Sequence, residues 1–94
     1  MEKKIAFELN KSQQRDIINL LENENISEVK KTIKSYGNKL NESSSLLYFS
    51  GIIASKEGNF EISISQYLKA IEINPTFLEA INNLGLVYLN LKEY

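Results

Sequence analysis

Ninety-four residues are enough for one domain with a single modest core, near the size where burial alone gives thin stability. The chain has no cysteine and no histidine, which excludes disulfides, thiolate nucleophiles and imidazole acid–base or zinc chemistry. Eleven basic residues against twelve acidic ones leave no electrostatic footprint for DNA or RNA, so no nucleic-acid partner is expected.

The opening MEKKIAFEL has two lysines and then only Ile5, Ala6 and Phe7 before Glu8, far short of the apolar core of a secretory signal. Residues 1–9 read as an N-terminal tail. No run approaches the length of a membrane span, and a cytoplasmic chain without a membrane partner is the expectation.

From Asn10 to Glu22 and from Ile26 to Lys39 the apolar residues recur at helical spacing around the turn Glu22-Asn23-Glu24-Asn25, with Asn25 and Glu28 at capping-box spacing. A third helix carries Leu46, Leu47, Phe49, Ile52, Ile53 and Ala54 and closes at Lys56-Glu57-Gly58, where Gly58 can adopt the left-handed conformation. Asn59 suits the N-cap of a fourth helix, in which Phe60, Ile64, Tyr67, Leu68 and Ile71 recur until Asn74-Pro75 breaks the pattern. Thr76 and Glu79 have capping-box spacing ahead of a fifth helix, about Phe77 to Leu91.

Compared with itself at an offset of 34, the chain repeats: Leu47 falls on Ile81, Gly51 on Gly85, Ile52 on Leu86 and Phe60 on Tyr94. One step earlier, Gly51 falls on Ile17, Ala54 on Leu20, Phe60 on Ile26, Tyr67 on Ile33 and Pro75 on Asn41, so apolar character survives while glycine and proline do not.

This pattern resembles the tetratricopeptide repeat. Leu47, Gly51, Gly58, Phe60, Tyr67, Ala70 and Pro75 match its signature in one copy, with Ser63 at a further small position, and Ile81, Leu84, Gly85 and Tyr88 match it in the next. The resemblance covers residues 10–94 and is most specific over 44–94. It implies an all-α, right-handed stack of antiparallel helix pairs, about two and a half repeats in five helices. Residues 10–43 would be a divergent first pair, 44–77 a full repeat, and 78–94 the first helix of an incomplete one. In such packing, small residues let helices approach, so a bulky residue at Gly85 or Ala70 is expected to overpack a junction at ~1–3 kcal/mol.

The resemblance also implies a protein-interaction scaffold, which binds a peptide or partner helix in the groove lined by the first helix of each pair. Carried over by position, that groove would present Lys11, Gln14 and Arg15, then Ser45, Tyr48, Phe49, Ile52 and Lys56, then Glu79, Asn82, Asn83, Leu86 and Asn90. Asn83 stands where the family often hydrogen-bonds a peptide backbone, although both asparagines also suit a solvated helix surface. A clamp for a terminal carboxylate is not expected, because only Lys11 and Arg15 approach one. Tyr48, Phe49, Ile52 and Leu86 favour an apolar or amphipathic segment, or else burial between helices.

Lys30, Lys31 and Lys34 form the one basic cluster and read as a solvated helix face. Asp16, Glu57, Glu61 and Glu72 show no pairing that suggests a two-carboxylate site, and no phosphate-binding loop is present, so no intrinsic catalysis, metal or cofactor is expected. The last helix is apolar on most sides, with Leu84, Tyr88 and Leu91 expected to lack a partner. Two expectations follow: self-association through that helix, giving a homo-oligomer, and excision of the chain from a longer array. The alternative function is the N-terminal accessory part of a larger glycosyltransferase- or sulfotransferase-like enzyme.

Overall fold

The computed structural model describes residues 7–92, and within them all regular structure is helical. Helix α1 spans Lys11–Glu22, α2 Ile26–Ser35, α3 Ser44–Lys56, α4 Phe60–Ile73 and α5 Leu78–Lys92, with a 3₁₀ helix over Gly37–Glu42 between α2 and α3. Successive helices pack against each other, α3 with α4 most extensively, giving the expected stack of helix pairs.

The α1–α2 and α3–α4 turns have the same backbone geometry at an offset of 34. Asn25 and Asn59 each donate five residues back, to the Leu20 and Ala54 carbonyls, both at 2.8 Å. Glu24 and Gly58 occupy the left-handed region at φ 55° and φ 80°. These are the reversed hydrogen bonds and αL residue that close a helix in a Schellman-type turn. Gly58 adopts that conformation freely, whereas Glu24 holds it against the steric preference of an L side chain.

The second helix is shorter than the expected Ile26–Lys39. Gly37 adopts φ 57° and redirects the chain two residues after α2 ends, so Leu40 turns back to touch both core clusters. The caps also differ from expectation. Neither Asn25 nor Asn59 caps with its side chain. The Thr76 hydroxyl donates to Asn74 Oδ1 at 3.1 Å, and α5 starts at Leu78. A full capping box instead opens α1: Gln13 N–H donates to Asn10 Oδ1 at 2.8 Å, while Asn10 N–H donates to Gln13 Oε1 at 2.9 Å.

In the part of the expected tail that is described, Phe7 to Leu9, the chain is docked rather than trailing. Leu9 is 3% exposed and joins Ile17, Val29, Leu46, Phe49 and Ile53 in the first core cluster. The Glu8 carboxylate sits at the start of α3, where it accepts from the hydroxyls of Ser43 and Ser44 and from Ser45 N–H at 2.9 Å. Ser43 in turn caps α3 by accepting from Leu46 N–H at 3.0 Å. A carboxylate there also complements the positive end of the helix dipole. Phe7 packs against Tyr36 at a tilted angle, 5.6 Å between centroids, with Lys39 Nζ 4.9 Å from the centroid of its ring.

The second core cluster joins Leu47, Tyr67, Ala70, Ala80 and Val87 across α3, α4 and α5. Burial on both sides accounts for the near-continuous apolar character of α3, which lies between the two clusters. Tyr67 fills the space over Gly51, and the Ser63 hydroxyl donates to the Gly51 carbonyl at 2.8 Å. A Cβ added at Gly85 would meet no atom within 4 Å. The expected overpacking at Gly85 is therefore not found, because α5 has no helix on that side among the described residues. Ala70 has no exposed surface and packs within the second core cluster.

Candidate functional site

A groove of about 890 Å³ runs across the first helices of the stack. Its α1 wall is Gln14, Ile18 and Leu21, at helical spacing, followed by Glu22; α3 supplies Ser44, Ser45, Tyr48, Phe49 and Ile52. The α4–α5 junction contributes Ile73, Asn74, Thr76 and Phe77, and α5 contributes Glu79, while Glu8 lines it from the docked N-terminal segment. Gln14 Nε2 donates to the Leu9 carbonyl at 2.9 Å and so ties that segment to α1.

Tyr48 is at the centre. Its ring lies 4.9 Å from Phe77, 5.4 Å from Phe49 and 6.1 Å from Tyr67, measured between centroids, all at tilted angles favourable for aromatic pairs. Asn83 Nδ2 donates to its hydroxyl at 3.4 Å. Burial pushes the Tyr48 phenol above its ordinary value, the negative charge of Glu79 pushes it further, and the Asn83 hydrogen bond opposes both. Tyr67 is likewise pushed up, first by burial and then by Tyr48, against hydrogen bonds from Asn83 and Ser63.

Of the positions expected to face a ligand, Gln14, Ser45, Tyr48, Phe49, Ile52 and Glu79 line this groove. Phe49 is almost wholly buried and serves as floor. Arg15 and Lys11 lie in an adjoining shallow depression of α1 with Asn19. Lys56, Asn82, Leu86 and Asn90 are exposed and outside the groove, Leu86 at 57%. Asn83 directs its carboxamide to the Tyr48 hydroxyl.

The lining residues Ile18, Leu21 and Phe77 were not among the expected positions, although the spacing of Gln14, Ile18 and Leu21 could have revealed the α1 wall. Glu8 could not have been found from spacing, because it reaches the groove through contacts some 35 residues away in the chain. Of the lysine cluster, Lys30 pairs with Glu57 at 2.8 Å and Lys31 with Glu28 at 3.4 Å, both well exposed.

The last helix buries Ala80 and Val87 and places Leu84 against the second core cluster, so Leu84 is not the orphan it was expected to be. Among the described residues, Ile81, Tyr88 and Leu89, at 40%, 50% and 59% exposure, form an exposed apolar face on either side of Gly85, and Leu91 is exposed as well. Ile81 and Gly85 correspond, 34 residues on, to the side of α3 that α4 covers.

An array of antiparallel helix pairs with a continuous groove along its first helices defines the class of helical-repeat scaffolds. Within that class, residues 55–92 match the family model described as TPR repeat. No curated protein and no solved structure gave a match. Repeats of this family generally mediate protein–protein interaction, and no helix among the described residues is long and apolar enough to cross a membrane.

Proposed function

We propose that this chain is a protein-interaction module whose groove receives a peptide or a partner helix, with residues 10–43 acting as a divergent first repeat. The observation that carries this is the groove itself: apolar walls from α1, α3 and the α4–α5 junction converge on Tyr48, with hydroxyl, amide and carboxylate groups at the edges. Concave, mostly apolar surfaces with a few polar groups are what bind segments of other proteins. The matching turns at Glu24 and Gly58 support the repeat assignment of the first pair. Selection of displayed peptides against the protein tests the reading. Binders should be lost on Ile18→Asp, in the groove wall, and kept on Lys69→Asp, on an exposed part of α4. Equal loss or equal retention on both variants rejects the groove.

Self-association is a second role, favoured by the exposed face of Ile81, Tyr88 and Leu89 on α5. Light scattering should show a mass that falls on dilution and a monomer for the Ile81→Ser/Tyr88→Ser variant. A wild-type mass that stays at the monomer value across the series rules this contact out.

A further inference from the structure

The groove is polarised in charge, and the polarity is local rather than a property of the chain. Its lining includes three carboxylates, Glu8, Glu22 and Glu79, and no lysine or arginine. Lys39 lies over the Phe7 ring, Lys30 and Lys31 pair with glutamates, and Lys11 and Arg15 line the adjoining depression on α1, which shares Gln14, Ile18 and Glu22 with the groove. Glu8 is engaged by three donors at the start of α3, whereas no ion pair engages Glu22 or Glu79 among the described residues. Glu79 also acts on the centre of the groove, since its charge reaches the Tyr48 hydroxyl. With a net charge of −1, the chain as a whole attracts cations only weakly, so discrimination by charge must come from this arrangement.

We infer that the groove selects cationic amphipathic segments, with an apolar face seated on Ile18, Tyr48, Ile52 and Phe77 and lysine or arginine side chains opposite Glu22 and Glu79. The inference rests on the groove reading above and adds the chemistry of its occupant. An acidic segment would place like charges against both glutamates with no cation in the lining to offset them, and such juxtaposition is what excludes wrong partners.

Three labelled amphipathic peptides test it, sharing one leucine face and carrying lysine, glutamine or glutamate on the other, titrated with the protein by fluorescence anisotropy. The expected order of affinity is lysine, glutamine, glutamate, with a ratio between the extremes on the order of tenfold at low ionic strength that shrinks as salt is added. In the Glu22→Gln/Glu79→Gln variant the ratio should fall below about twofold. If all three peptides bind the wild type equally and all are weakened by Ile18→Asp, charge selection is wrong and the groove reading stands. If none binds, both fail. If the glutamate peptide binds most tightly and loses affinity in Arg15→Gln, the basic depression on α1 is the site and the inference is overturned.

Discussion

Replacing each of two glycines by alanine should move stability in opposite directions, although Gly51 and Gly85 occupy equivalent repeat positions. At Gly51 a Cβ would lie 2.6 Å from Tyr67 Cε1, 2.8 Å from Cδ1 and 3.0 Å from Cζ. Carbon atoms prefer about 3.5–4.0 Å, so the ring would have to retreat by roughly 1 Å. Tyr67 is 1% exposed and packed with Leu47, Ala70, Ala80 and Val87, so that retreat displaces a close-packed cluster at about 1–3 kcal/mol. Alanine recovers about 0.5–1 kcal/mol of backbone entropy in a helix, leaving Gly51→Ala destabilised by roughly 1–2 kcal/mol. At Gly85 the new methyl meets nothing, so only the entropic gain operates and Gly85→Ala should stabilise by about 0.5–1 kcal/mol. Urea denaturation followed by far-UV circular dichroism measures both as changes of midpoint at constant slope. Adding Tyr67→Leu should cancel much of the Gly51→Ala penalty in a double-mutant cycle. A neutral or stabilising Gly51→Ala, or additive behaviour with Tyr67→Leu, would refute the close approach of α3 and α4.

Glu8→Ala removes the acceptor of three hydrogen bonds at the start of α3, and urea titration should show a loss of about 1–2 kcal/mol. Glu24→Gly relieves a left-handed side chain at about 1–2 kcal/mol against the entropy of glycine, for a net gain of roughly 0.5–1 kcal/mol in the same assay. Tyr48 and Tyr67 titrate above the ordinary phenol value of about 10, so above that pH the unfolded chain releases protons that the folded chain keeps. The contribution of these two phenols to stability is therefore constant below about pH 10 and is lost as pH rises beyond it. The fall should be shallower in Tyr48→Phe, as measured by denaturation midpoints at stepped pH; an identical alkaline limb would mean that Tyr48 is not perturbed.

Much of the fold was legible because local signals agreed. Gly58 marked a turn that uses its positive φ, Asn74-Pro75 marked the end of α4, and the match at 34 residues carried helix order and pairing. The first helix pair was legible by apolar spacing alone, although Glu24 gave no sign that it would adopt the conformation of glycine. The end of α2 was misplaced because the apolar spacing continues through Leu40, while Gly37 turns the backbone away. Of the groove, the α3 face was legible because Tyr48, Phe49 and Ile52 share one side of a helix. The α4–α5 junction was not, since Ile73, Asn74 and Phe77 come together only when the chain reverses.

The amino-acid sequence by itself determined the helices, their pairing and the repeat, because these depend on residue spacing and on turn chemistry confined to a few neighbouring positions. Only the tertiary structure decided which equivalent positions are filled. Gly51 is covered by Tyr67 and Gly85 is open; Asn83 turns inward to Tyr48; Glu8 and Glu79, 71 positions apart by their numbering, line one groove. Such differences arise because the partner of each side chain lies on another helix, and the approach of whole helices, rather than spacing along one of them, sets what a side chain meets.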